Sequence, residues 1–476
     1  MKNMKIKFLK FLSLILLVTS ISCDNAVEEE IFSQLGASNY LTSQDGIETL
    51  LFSSYSQMNN SHAGQRYFAA DLPFQDTWGR SGSWEERTAE PLTFFSWTSS
   101  SFFVPDVWVD LYRSIRDAII VLKNLSDDFP ADFKSKMQGE ARALRASAYQ
   151  EILAFYGPGP LITETTETLI NPRASQSEME KFIEDEFLAS IQLLPDSQAD
   201  WGRFDKGMAM GSLLRFYMNS KQYSKALTLS KQIMDLGKYN LDPNYTSVFA
   251  ADNEGNKEII YPVVKSGTAQ GKWLICITLP RDYPRPDNQG TCAAVVYGRD
   301  YFMDLFEPND VRGSIHMIRS YTSNTGESIV GYGKDESVML KYPIDPNASG
   351  AFSNNNDYAH VRYADVLMHR AEALNETSGP SQEAIDLINQ IRTRAGASSI
   401  ALGDYSTKES LKSFIMEERR REFFFEGKIR EDAIRNDVFI STAQSKGRPA
   451  QDFHKLFPIP LAELDANKEM TQNPGY

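Results

Sequence analysis

Two stretches of this chain hold the side chains best suited to a chemical task. One carries Trp78, Trp84 and Trp97 with Asp76 and Arg80; the other carries Trp273, Tyr283 and Tyr297 with Arg281 and Asp287. Rings of this kind offer an apolar face and, in Trp and Tyr, a polar handle. A sugar ring presents C–H faces that stack on them, while its hydroxyls need Asp, Asn, Arg or Gln nearby. Both stretches lack helical period, and an aromatic in a loop can face a ligand where one in a helical stripe belongs to the core. Because Trp is highly buried on average, any one of these rings taken alone reads as core. The expectation is collective: the two stretches converge, and at least one aromatic from each lines a common platform.

Other chemistries find no support in the spacing. The five histidines, His62, His316, His360, His369 and His454, form no HExxH pair and no pairing with cysteine. Gly79-Arg80-Ser81-Gly82-Ser83 lacks the second glycine of a nucleophile elbow. Gly331-Tyr332-Gly333-Lys334 is followed by Asp335 where a phosphate loop needs Ser or Thr. Residues 252–258 lack the alternation of a calcium loop. No cofactor and no metal site is expected, and no carboxylate pair stands out as a glycosidase couple.

The elements that must position the two stretches are helical. VRYADVLMHRAEALN and QEAIDLINQIRTRAG each repeat apolar residues at gaps of three and four, separated by Gly379-Pro380-Ser381. Asn375 and Gly396 stand where helix stops belong. Two helices joined by so short a turn pack antiparallel, as in tetratricopeptide hairpins, with small Ala371 and Ala395 allowing close approach. Similar hairpins begin near Val107 and Lys206, and Trp108 lies on a core stripe; Trp201, before the second of these, also reads as core. The spacing is not a fixed period, so stacked helices with long insertions are expected. The helical parts span about 107–237 and 361–396, the insertions about 59–106 and 242–358, and a C-terminal helix and tail 408–476. Glu418-Arg419-Arg420-Arg421-Glu422 mixes signs along a helix and reads as internal ion pairs beside Phe423, Phe424 and Phe425. The same holds for Arg362, Arg370, Arg392 and Arg394.

Residues 1–22 are a leader: Lys2, Lys5, Lys7 and Lys10, then a short apolar core too brief to span a membrane, ending in small residues before Cys23. Without its four lysines the chain carries 45 cationic against 63 acidic residues, a formal charge of −18. That argues against nucleic acid, which needs a cationic face. Cys276 and Cys292 remain, both in one irregular stretch; in an oxidising compartment they could bridge, or stay as free thiols.

The ordered pieces resemble the SusD/RagB family of Bacteroidota surface lipoproteins. They are the leader ending at Cys23, Trp108 with LYRSIRDA, GEARALRASAY followed by FYGPGPL, GRFDKGMAMGSLLRFY, RYADVLMHRAEALN, INQIRTRAG, ERRREFFFEG and LFPIP with NPGY. They span nearly the whole chain after the leader, as one SusD-like domain over 23–476. Lys428-Ile429-Arg430-Glu431-Asp432 departs from the aromatic and Asp-Leu that usually follow FEG in the family. The resemblance implies a mainly α fold of tetratricopeptide-like hairpins with a ligand face built from the insertions. It also implies lipidation at Cys23, with Glu28-Glu29-Glu30 resembling the export signal of surface lipoproteins, and attachment to the outer membrane through that lipid. The expected partner is a SusC-type TonB-dependent transporter that the protein caps like a lid; the expected ligand is an oligosaccharide, bound without catalysis. Peptide capture as in the RagB branch, a helical glycoside hydrolase and a purely structural surface protein are the alternatives.

Overall fold

The computed structural model describes residues 40–60, 66–79, 86–168, 170–265, 274–286, 296–331, 335–348 and 354–476. Ten helices matter most: α1 (Gln44–Asn60), α2 (Phe103–Lys123), α3 (Ala131–Tyr156), α4 (Gln176–Leu193), α5 (Lys206–Asn219), α6 (Tyr223–Asp235), α7 (Tyr363–Ser378), α8 (Gln382–Arg394), α9 (Lys408–Phe423) and α10 (Ile429–Arg435). They stack serially: α1 on α2, then each on the next through α8, with α9 returning to α7. The mainly α class is therefore as expected, with each stripe buried against the following helix.

Local chemistry sets the helix ends. Ser175 caps α4 reciprocally with Glu178, Asp205 accepts from the Met208 amide at 2.9 Å, and Ser381 accepts from the Ala384 amide at 3.3 Å. Helix α5 is buried on every side from Gly207 to Met218, which makes it the centre of the stack. Gly396 follows α8 at φ +79°, and a Cβ there would lie 2.7 Å from the Asn309 carbonyl oxygen, so a side chain would need backbone to move.

Three boundaries differ from the sequence reading. Helix α7 runs on to Ser378, and Asn375 lies buried within it, donating from Nδ2 to the Lys408 carbonyl at 2.9 Å. Helix α2 starts at Phe103, four residues early, because Pro105 fits a first helical turn. The first insertion also contains short helices, Arg66–Asp71 and Glu86–Phe94, the latter burying Ala89 and Leu92 one turn apart.

The strands are short: β1 (Thr77–Gly79), β2 (Ile259–Val263), β3 (Val296–Gly298), β4 (Met317–Ile318), β5 (Ser320–Thr322), β6 (Ser328–Val330), β7 (Val338–Met339) and β8 (Tyr358–Arg362). They pair as four antiparallel couples, β1 with β3, β2 with β8, β4 with β7 and β5 with β6. The β2–β8 couple is fully buried and joins the two ends of the second insertion just before α7. The segment between these two strands thus leaves and re-enters the scaffold at one place.

The charged run on α9 is internal, as its mixed signs predict. Arg362 Nη1 donates to Glu258 and Glu422 at 2.7 Å each, and its other nitrogens reach Glu426 at 2.9 and 2.8 Å. Arg394 reaches Glu258 at 2.8 Å and Glu422 at 2.6 Å; Arg392 reaches Glu418 at 2.6 Å; Arg370 reaches Glu383 at 2.6 Å. Arg312, from the second insertion, joins Glu418 at 2.8 Å and Glu422 at 3.0 Å. Apart from the exposed Arg370–Glu383 pair, these buried bonds weld α7, α8 and α9 to the insertion, and Phe423, Phe424 and Phe425 are buried beside them. Arg419 is likewise internal, bonded to Asp432 at 2.7 Å and Asp365 at 2.9 Å.

Candidate functional site

The two aromatic stretches meet. Gln75, at φ +77°, turns the chain out of the Leu72–Phe74 turn, and its Nε2 donates to the Thr93 carbonyl at 2.9 Å. Asp76 follows, its carboxylate held by Arg420 Nε at 2.9 Å and Nη2 at 2.6 Å, its carbonyl accepting from the Arg299 amide at 2.9 Å. Strand β1 then runs antiparallel to β3 with Trp78 directly opposite Tyr297. Directly opposed residues point to one face of a ladder, so these two rings, 219 positions apart in sequence, share one face of the β1–β3 couple. The Gly298 and Ser337 backbones exchange hydrogen bonds at 3.0 and 2.9 Å, anchoring β3 to the far side of its own insertion.

Cations and further rings collect there. The Arg299 guanidinium lies 5.4 Å from the Trp78 ring centroid and 5.9 Å from that of Tyr301. Lys446 Nζ sits 3.4 Å from the Tyr301 centroid, and the Arg448 guanidinium 4.4 Å from that of Phe94. The Tyr301 hydroxyl donates to the Gln75 carbonyl, which locks its ring across the join. Trp78 is half-buried, and its indole Nε1 is buried without a hydrogen-bond partner among the described residues.

The predicted residues separate into groups. Trp78 and Tyr297 come together with Asp76, although Tyr297 is almost wholly buried and Asp76 is engaged by Arg420. Tyr283 is half-buried against Tyr321, centroids 5.2 Å apart, and Arg281 is exposed nearby. Trp97 belongs elsewhere: only 4% exposed, it packs on Phe95, His454 and Phe457 and donates to the Tyr476 hydroxyl at 2.7 Å, in a core with the C-terminal tail. Trp84, Trp273, Arg80, Asp287, Cys23 and Cys292, and the side chain of Cys276, lie outside the described residues. The core assignment of Trp201 is corrected: its ring is 42% exposed, held at the surface by a 2.7 Å bond from Nε1 to Asp357. Trp108 is buried, as its stripe predicts.

Sequence reasoning missed Tyr301, Arg299, Lys446 and Arg448. Tyr301 lies only four residues beyond Tyr297, a readable signal. Lys446 and Arg448 flank Gly447 at φ +75° in a tail turn whose only signal was the glycine itself.

The fold is a serial helical scaffold that brings two ring-bearing insertions into contact. Comparison with known proteins agrees. Residues 318–476 match the family model described as SusD family, and residues 34–218 match that described as starch-binding associating with outer membrane. The chain belongs to the SusD family. It is 24% identical to SusD-like protein P25 of Formosa agariphila, over 97% of this chain and 98% of that one. It is 24% identical to the starch-binding protein SusD of Bacteroides thetaiotaomicron, over 83% and 82%. The solved structure of surface glycan-binding protein A from Bacteroides thetaiotaomicron in complex with laminarihexaose superposes with TM-score 0.74 at 19% identity, over 90% of this chain and 98% of that one. Among the described residues no helix is long and apolar enough to cross a membrane.

Proposed function

We propose that this protein is a lipoprotein of the outer cell surface, anchored through Cys23, that captures an oligosaccharide and hands it to a SusC-type TonB-dependent transporter. Recognition is by stacking and hydrogen bonding, with no bond made or broken. The observation that carries the reading is the β1–β3 join, because it supports a single face built from both insertions and gives Trp78 a partly exposed ring whose buried N–H has no partner among the described residues. The starch and laminarin names of the relatives support a glycan as the ligand. Trp78, with Trp84 and Trp273 from the same two insertions, would supply the platform, and Tyr283 and Arg281 its rim.

A glycan array probed with the soluble form beginning after Cys23 tests this directly. Replacing Trp78, Trp84 and Trp273 together by Ala should abolish binding to the glycans it selects while leaving the unfolding temperature close to that of the parent. Unchanged affinity in the triple variant would remove the platform from consideration. Gentle solubilisation of outer membranes followed by affinity capture should recover a barrel partner, and a chain recovered alone would contradict delivery.

A further inference from the structure

Among the described residues, the join between the insertions carries two cations, Lys446 and Arg448, that no carboxylate there matches. In a chain of formal charge −14, the arginines named above are matched to acids: Arg299 to Asp335 at 2.5 Å, Arg420 to Asp76, Arg362 to three glutamates. Lys446 and Arg448 break that pattern. Lys446 is exposed and rests on the Tyr301 ring, and among the described residues it has no carboxylate partner. Arg448 is half-buried, stacked on Phe94, with its Nε donating at 2.7 Å to the neutral Gln75 amide oxygen and no acid beside it among the described residues. The Arg299 Nε, on a guanidinium otherwise paired with Asp335, is buried without an acceptor among the described residues. Burial, together with the neighbouring Arg299 charge, pushes the Arg448 guanidinium below its ordinary value, so these cations crowd one another. A partly desolvated charge is favourable only when an opposite charge completes it.

We infer that the glycan this face selects is anionic, bearing carboxylate or sulfate groups that Lys446 and Arg448 receive while its rings stack on Trp78. The inference rests on the glycan-binding reading above and narrows its substrate class. Geometry suits it: Arg299 lies 5.4 Å from the Trp78 centroid and 5.9 Å from that of Tyr301, on which Lys446 rests, so a sugar stacked on Trp78 can extend its substituent toward these cations. An arginine fork accepts a planar carboxylate or a sulfate through paired N–H donors, and the Lys446 ammonium acts as a compact point charge.

The test is a comparison of three probe sets by calorimetry or glycan array: alginate and galacturonate oligosaccharides for carboxylate, carrageenan oligosaccharides for sulfate, and laminarin and malto-oligosaccharides as neutral glycans. At least one anionic set should bind more tightly than the neutral set, and its affinity should fall as salt rises through the range where exposed charges are screened. Lys446→Gln, on an exposed side chain that cannot disturb the core, should weaken that binding several-fold, and Lys446→Gln with Arg448→Gln at least about tenfold. Lys231→Gln, on the far exposed face of α6, should leave it unchanged. Which anionic set responds tells carboxylate from sulfate. Tight, salt-insensitive binding of neutral glycans alone overturns the inference but leaves the glycan-binding reading standing; absence of binding to all three sets overturns both.

Discussion

Replacing Glu422 by Gln should cost the fold about 3 to 4 kcal/mol, and the structure allows the figure to be reached twice. Glu422 is wholly buried on α9 and accepts from Arg394 at 2.6 Å, Arg362 at 2.7 Å and Arg312 at 3.0 Å. Burial by itself would raise its pKa, but the Arg394, Arg362 and Arg312 charges outweigh burial and hold it at about 2 against an ordinary 4.5. At about 1.4 kcal/mol per pKa unit, that displacement corresponds to roughly 3 kcal/mol of stability above the ordinary carboxylate range. Removing one partner from a buried ion pair costs about 3 to 5 kcal/mol, because the remaining charges stay desolvated and unmatched. The two routes agree. Gln keeps the shape and the main-chain oxygen that receives Lys341 at 2.8 Å, so the loss isolates the charge. The assay is urea unfolding of parent and Glu422→Gln with linear extrapolation, at neutral pH and at falling pH. A folded pKa below the unfolded one gives stability present above the unfolded pKa and lost as pH falls through the folded one. The gap between the two proteins should therefore be full above about pH 4.5 and close as pH approaches about 2. A gap under about 1 kcal/mol at neutral pH, the size of an exposed ion pair, would refute the claim that this network is what joins the insertion to α7, α8 and α9.

Three other outcomes follow from the same structure. His316 is buried against Tyr245, and burial pushes its pKa down to about 4, so it is neutral in the fold; as pH falls from about 6.5 to 4 the parent should lose roughly 3 kcal/mol relative to His316→Phe, read by unfolding across pH. Trp97→Ala should destabilise by about 3 to 5 kcal/mol, by emptying the cluster with Phe95, His454 and Phe457, yet leave glycan affinity unaltered once the variant is folded; calorimetry on the folded fraction checks both halves. Gly396→Ala should lower stability by about 1 to 3 kcal/mol, since its φ of +79° and the 2.7 Å approach to Asn309 both resist a Cβ, and a variant as stable as the parent would contradict that turn.

The helical scaffold was legible because its information is local. Apolar spacing located α2, α5, α7 and α8, and Ser175, Asp205 and Ser381 announce helix starts by side-chain chemistry within three residues. The mixed charges around Glu418 foretold internal pairing, and Arg421 does bond it at 3.1 Å. Its stronger partners, Arg312 and Arg392, lie 106 and 26 residues away and were out of reach of any local pattern. Exposure of Trp201 was hidden for the same reason: the Asp357 that holds its N–H at the surface is 156 residues distant. Asn375 misled because a helix-stopping residue type can sit mid-helix when a tertiary acceptor, here the Lys408 carbonyl, takes its side-chain N–H.

By itself the sequence determined that this chain stacks amphipathic helices around long ring-rich insertions, since period, caps and composition act over a few residues. Only tertiary structure decided which rings meet. Pairing of β1 with β3 set Trp78 beside Tyr297 while sending Trp97 into the tail's core, and a tail turn brought Lys446 and Arg448 to the same face. Strand pairing and charge gathering between segments hundreds of residues apart depend on how the whole chain closes, and no window of sequence contains that closure.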